Sequence, residues 1–384
     1  MRKQVPALAV LLCLTFLACG RVFAYLSAPF DAGYLLKQAD VVCKVKVLSV
    51  ARDGTILLIN FRPPIETPRF VALVRTISVI KGAPADEFAV AFPRWDDFGG
   101  ALGDKPRTLR ISTPDTTDLT RGEITVLLLK GSSSPYEFVD WADNHGKLKA
   151  FSRNLRYGTE ATPRDKLLAE LLAYLKGAKG KDRIATIEQL GKLGNINARE
   201  VLRKQSASDN LAVRGQALIS RVQIGDMPGS DELSSFLRLE PSQPVRADVR
   251  IEPWQIGGSL PNLQLTLLME INISLGPGGS VPKLAPNFDY AAFCEQALQL
   301  STIKENKAAR AEIASIMRTV ADKRSIPDLV ALLDDSEQSV RYLAATGLAN
   351  VNGRNDYYVS VDRFKADEAK YITYWKDWWN DRKG

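Results

Sequence analysis

The hydrophobic period of this chain changes once, and that change limits the fold more than any other feature. From about residue 38 to residue 151, apolar side chains recur at every second position in short runs. These are VVCKVKVLSV, RFVALVRTISVIKG, EFAVAFP, GEITVLLLKG, YEFVDW and KLKAF, separated by loops of Gly, Pro, Asp or Ser. Several runs are apolar on both faces, as strands inside a small barrel or sandwich are. After NLRYGTEATPRDK the recurrence lengthens to three and four. Leu167, Leu168, Leu171, Leu172 and Leu175 make one helical stripe. Ile184, Ile187, Leu190 and Leu193 make a second, stopped by Gly194-Asn195, the residues a helix C-terminus prefers. The expectation is an α+β chain of two domains, all-β first and all-α second.

The helical half repeats itself. Asp209 with Val213-Arg214 and Ala217 recurs as Asp335 with Val340-Arg341, Ala344, Ala345 and Leu348, each time after helix, tight turn, helix. An Asp or Ser at a helix start satisfies unpaired amides, and an Arg just inside the helix can reach back to acidic groups of the neighbouring turn. Asp209, Arg214, Asp335 and Arg341 are therefore expected to form a structural ladder between units. From Val213 to Val340 is 127 residues, near three periods of about 42. Three clean repeats do not fill that gap. PNLQLTLLMEINISL alternates at Leu263, Leu265, Leu267, Met269, Ile271, Ile273 and Leu275, among Pro241, Pro244, Pro253 and Pro261. That pattern predicts an extended or β insertion. The expected organisation is a signal peptide at 1–24, a β domain at 25–155, helical repeats at 156–239, the β-strand insertion at 240–286, and further repeats with an aromatic capping helix at 287–384.

Both halves resemble known families. QADVVCKVKVLSV, VALVRTISVIKG, EFAVAF and LTRGEITVLLLKG, in that order, resemble the netrin-like domain of tissue inhibitors of metalloproteinases. The resemblance implies an OB-type five-stranded barrel over about 100 residues. That family's inhibitory wedge needs an N-terminal cysteine and neighbouring disulfides, and the cysteines are missing here, so the inhibitory function does not carry over. The helical segments resemble HEAT repeats of the kind found in phycobilin lyase-like proteins, with Asp followed by Val-Arg as the most specific part of the match. That implies stacked helix pairs with an extended binding surface, while no cysteine or histidine pattern supports lyase chemistry.

The N-terminus bears on location. Arg2 and Lys3 precede an apolar stretch from Val5 to Ala18 that is too short to span a bilayer. Val22-Phe23-Ala24 suits signal-peptide cleavage between Ala24 and Tyr25, which would make the protein exported, periplasmic or secreted. Leu17-Ala18-Cys19-Gly20 offers the alternative of a membrane-anchored lipoprotein lipidated at Cys19. No later stretch suits a transmembrane segment. Removing Arg2, Lys3 and Arg21 from 51 basic residues leaves 48 against 44 acidic ones, a net of +4. So weak an excess does not argue for nucleic acid. Past Ala24 only Cys43 and Cys294 remain, too few for a disulfide framework, and Cys43 shares a strand face with Val41, Val45 and Val47.

Catalytic signatures are sparse. His145, the single histidine, sits in the turn ADNHGKL, so the common zinc constellations are not expected, and no cofactor or metal is. GAKGKD at Gly177 lacks phosphate-loop spacing, and no nucleophile elbow occurs. Asp96-Asp97 and Asp334-Asp335 are adjacent carboxylates, a poor signal for glycosidase chemistry. Tyr371, Tyr374, Trp375, Trp378 and Trp379 fall on one helical face. They read either as a cap on the helical stack or as a binding platform for glycan or peptide. The functional expectation is a non-catalytic interaction or scaffold protein of the cell envelope with a protein partner. The alternative is an enzyme or enzyme accessory that grips envelope polysaccharide or peptide with the aromatic helix.

Overall fold

The computed structural model describes residues 32–58, 65–93, 119–139, 147–149, 155–159, 161–239, 260–275 and 288–383. The chain divides into two compact units, Met1–Glu170 and Leu171–Gly384. It is a mixed α+β protein in which strands precede helices.

In the first unit, helix α1 (Ala32–Gln38) leads into β1 (Val41–Leu58), β2 (Ile65–Lys81), β3 (Glu87–Pro93), β4 (Ile124–Lys130), β5 (Tyr136–Phe138) and β6 (Lys147–Lys149). Each of the six alternating runs of the sequence overlaps one of these strands. Pairing runs β1–β2–β3–β5–β4 and returns from β4 to β1, while β6 adds to β4. Every pair is antiparallel except β3 with β5. The period-two pattern sorts the faces. Cys43, Val45, Val47, Val74, Val90, Phe92, Leu127, Leu129 and Phe138 are among the side chains of a single core. The other face of β1 and β4 is covered too, since Val42, Lys44, Val126 and Leu128 are buried. Gly82 ends β2 at φ +78, and a Cβ there would lie 2.6 Å from the Asp40 carbonyl oxygen, so only glycine fits the turn. The preceding Lys81 donates to the Leu36 and Ala39 carbonyls, closing the C-terminus of α1 with a cation.

The division between the units falls inside α2 (Pro163–Leu175). Glu170 of this helix accepts from Lys44 Nζ at 3.0 Å and from the Tyr157 hydroxyl at 2.5 Å, which ties the helix's first turns to β1.

The second unit continues with α3 (Gly180–Leu193), α4 (Arg199–Ser206), α5 (Leu211–Gln223), α6 (Ser230–Leu237), α7 (Leu260–Leu275), α8 (Tyr290–Leu298) and α9 (Ser301–Lys304). It ends with α10 (Lys307–Val320), α11 (Ile326–Ala331), α12 (Gln338–Val351), α13 (Val361–Ala366) and α14 (Glu368–Lys383). Five helices, α3, α5, α7, α10 and α12, pack on one another in chain order, α3 on α5, α5 on α7, α7 on α10 and α10 on α12. Shorter helices lie between them in sequence. Small residues set the spacing: a Cβ at Gly191 would sit 2.7 Å from Ser220 Cα, and one at Gly215 would sit 2.7 Å from the Phe236 ring.

The β insertion expected at 240–286 is corrected at its centre, because Leu260–Leu275 is a helix. This segment is apolar nearly all round, so positions two apart and positions three or four apart are both filled and the period cannot decide. Its buried positions, Leu260, Leu263, Gln264, Leu267, Leu268, Ile271 and Ser274, follow helical spacing. Leucine outnumbers β-branched residues, which favours helix, and Pro261 stands in the first turn where a missing N–H costs nothing. The segment therefore packs as a helix between α5 and α10. The rest of 240–286 lies outside the described residues. No described helix is long and apolar enough to cross a membrane.

Candidate functional site

The charged ladder joins successive helix pairs, with different partners from those the sequence suggested. Each of α3, α5, α10 and α12 carries an arginine four residues after its N-cap: Arg183, Arg214, Arg310 and Arg341. Three of them reach back to the carbonyl six residues earlier: Arg214 to Ser208 at 2.9 Å, Arg310 to Lys304 at 2.5 Å and Arg341 to Asp335 at 2.7 Å. Three also reach forward. Arg183 donates to Gln205 at 2.9 Å, Arg341 to Glu368 at 2.5 Å, and Arg310 grips Asp335 at 2.6 and 3.0 Å. Asp335 thus pairs with Arg310 through its side chain and meets Arg341 only through its backbone oxygen. Asn210, not Asp209, caps α5, accepting from the Ala212 and Val213 N–H groups. The usable sequence signal was the N-cap-plus-four arginine, which also marks α3 and α10.

The electrostatics follow from burial and pairing. Burial pushes the Asp335 carboxyl up, but hydrogen bonds from Arg310 and the Glu337 N–H outweigh it, and the net shift is downward. Asp226 behaves alike: burial raises it, and Arg203 and Arg221 bring it below the usual range. Arg221 is buried and also binds Glu232 and Ser206, so one network joins α4, α5 and α6. Glu270 of α7 shifts the other way. Its burial raises the carboxyl, and the hydrogen bond from Gln223 only partly offsets that.

Helix α7 differs from its neighbours in two respects. It carries no arginine ladder residue and is held by amides. Gln264 donates to the carbonyls of Phe236, Leu237 and Leu239, and Asn272 donates to Glu312 and Ser315 of α10. It also turns Met269 (41 % exposed) and Ile273 (56 % exposed) to solvent, one helical turn apart.

The aromatic face of α14 is largely spent on packing. Trp375 is fully buried. Tyr374 stacks on Tyr357 at 3.8 Å, Tyr371 stacks on Phe364 at 5.8 Å, and Arg382 lies 4.2 Å over the Trp378 ring. These contacts take Tyr371, Tyr374 and Trp375 out of any exposed platform. Trp379 keeps partial exposure and lines an open cleft of 360 Å³ against α11.

No family model matches this chain, and no curated protein does.

Among the described residues, no group of three or more His, Cys, Asp or Glu is placed to hold a metal ion. Cys43 and Cys294 are buried and free. Burial pushes the Cys43 thiol up to about 12, far from the thiolate that nucleophilic chemistry needs. Ala24, Tyr25, Cys19, His145 and Asp96-Asp97 lie outside the described residues. No sequence pattern points to Lys44, a fully buried lysine on a strand, because its partner Glu170 lies 126 residues away.

Proposed function

We propose that this chain is an exported, non-catalytic interaction protein of the cell envelope, an OB-type barrel followed by a HEAT-type array that docks a protein partner. The return of pairing from β4 to β1, with β3 and β5 parallel, supports the barrel reading, since that strand order belongs to OB folds. Chain-order packing of five helices supports the array reading. The observation that carries the function is the exposure of Met269 and Ile273 on the middle helix. Large apolar side chains adjacent on one helical face are the kind of surface that protein partners cover.

Site-specific photocrosslinkers at positions 269 and 273 test this in cells, with position 200, highly exposed on α4, as the control. One and the same protein crosslinked from both test positions, and not from the control, is the expected result. Adducts from neither test position, or an identical set from all three, would remove the reading.

A further inference from the structure

Resting on the reading that α7 docks a protein partner, we propose that the docked segment is a basic amphipathic helix. Its apolar side chains cover Met269 and Ile273, and Lys or Arg stands on both flanks. Successive helical residues are turned by about 100°, so Glu270 falls to one side of the Met269–Ile273 pair and Asn272 to the other. Hydrogen bonds show both directions. Glu270 accepts from Gln223 of α5 at 2.9 Å, and Asn272 donates to Glu312 of α10 at 2.9 Å. The exposed apolar turn is therefore flanked by a carboxylate on the α5 side and a carboxylate on the α10 side.

These two charges lack cations. Among the described residues neither Glu270 nor Glu312 forms an ion pair, and each uses one carboxylate oxygen for an amide. Lys192 acts on Glu270 through space but is paired with Glu188, so Glu188, Lys192 and Glu270 together carry one negative charge. Both flanking carboxylates are half-buried, where a cation is worth more than in open water. Burial also raises the Glu270 carboxyl, the mark of a charge that its surroundings do not fully compensate.

The same carboxylates set other occupants aside. Nucleic acid or an anionic lipid surface would bring phosphates against them. A second copy docked face to face about a two-fold axis would set carboxylates against carboxylates. Helix α7 packs between α5 and α10, so it offers a peptide no strand edge to extend. A helix satisfies its own backbone and presents side chains three and four residues apart, the spacing of Met269 and Ile273.

The test is fluorescence anisotropy of labelled synthetic peptides titrated with the full chain. The peptides are a helical one of leucine and lysine, the same with glutamate for lysine, and the same with serine for leucine. Saturable binding of the leucine-lysine peptide alone is expected. Glu270→Gln with Glu312→Gln should weaken it about tenfold, as should Met269→Ser with Ile273→Ser. Glutamine keeps an oxygen for the Gln223 and Asn272 amides, so the fold is retained, which far-ultraviolet circular dichroism checks. Glu200→Gln with Glu295→Gln, at exposed positions on α4 and α8, removes the same charge elsewhere and should leave binding unchanged. No saturable binding of the leucine-lysine peptide overturns the proposal, as does equal weakening by the control pair. Equal binding of either other peptide overturns it too, as does binding that either pair of test substitutions leaves unchanged. Photocrosslinks from positions 269 and 273 decide separately whether a partner docks at α7.

Discussion

Replacing Arg310 with alanine removes one rung of the ladder, and the structure gives the size of the loss. Arg310 holds Asp335 through Nε at 2.6 Å and Nη2 at 3.0 Å, and bonds the Lys304 carbonyl at 2.5 Å. The two side chains are 13 % and 7 % exposed. Breaking a fully buried pair costs about 3–5 kcal/mol and an exposed one about 0–1 kcal/mol. This pair is mostly buried, and Asp335 would keep the Glu337 N–H, so about 2–3 kcal/mol is expected. The helical unit spans residues 171 to 384. For a unit of that size each kcal/mol moves the midpoint about 2–4 °C, which places the variant about 4–12 °C below the parent.

The assay is thermal unfolding of the full chain by circular dichroism, repeated with Asp335→Ala and the double variant. Coupling between the two substitutions is expected, because each removes the same pair. The pH dependence has a definite sign. Asp335 has a lowered carboxyl in the folded state, so its contribution is complete above the ordinary carboxylate value of about 4 and is lost as pH falls through the lower folded value. The gap between parent and Arg310→Ala should hold from neutral pH to about 5 and narrow below about 4, to what the bond to the Lys304 carbonyl leaves. Additive single losses, or a gap undiminished in strong acid, would refute the reasoning.

Three further outcomes follow from packing. Leu267→Ala on the buried side of α7 should cost about 2–5 kcal/mol by calorimetry or chemical unfolding, while Ile273→Ser on its exposed side should change stability by less than about 0.5 kcal/mol; equal effects would refute this division of the helix faces. Lys44→Met should destabilise by about 3–5 kcal/mol, because it leaves Glu170 charged and buried, and adding Glu170→Leu should restore most of that loss in urea unfolding. Cys43 and Cys294 should resist a thiol reagent at pH 8 in the native protein and react after unfolding; fast native labelling of either would contradict its burial.

The strands were legible because each is half of an alternating pattern with a turn at either end, and β1, β2, β3 and β4 contain the runs read from the sequence. The helical signal was legible where a cap and an arginine stand at fixed spacing, as at Asn210 with Arg214. It failed at α7 because its sixteen residues lack both features and satisfy two periods at once. Partners were harder than elements. Arg341 was expected to reach back to acidic groups of the turn before it; its side chain does reach the Asp335 carbonyl, but its ionic partner is Glu368, 27 residues on. The aromatic helix showed the same limit: spacing placed five rings on one face, but only the neighbouring Tyr357 and Phe364 decide which are covered.

The joints of the array differ in chemistry along its length. On one side of α7 they are ionic, through Arg203, Arg221 and Asp226, and on the other through Arg310, Asp335, Arg341 and Glu368. At α7 they rest on the amides of Gln264, Asn272 and Gln223, the last two donating to the carboxyl oxygens of Glu312 and Glu270. A carboxyl that takes up a proton loses its charge but keeps an oxygen that accepts from an amide. Acid therefore removes the attraction at the ionic joints and leaves the hydrogen bonds around the middle helix their acceptors.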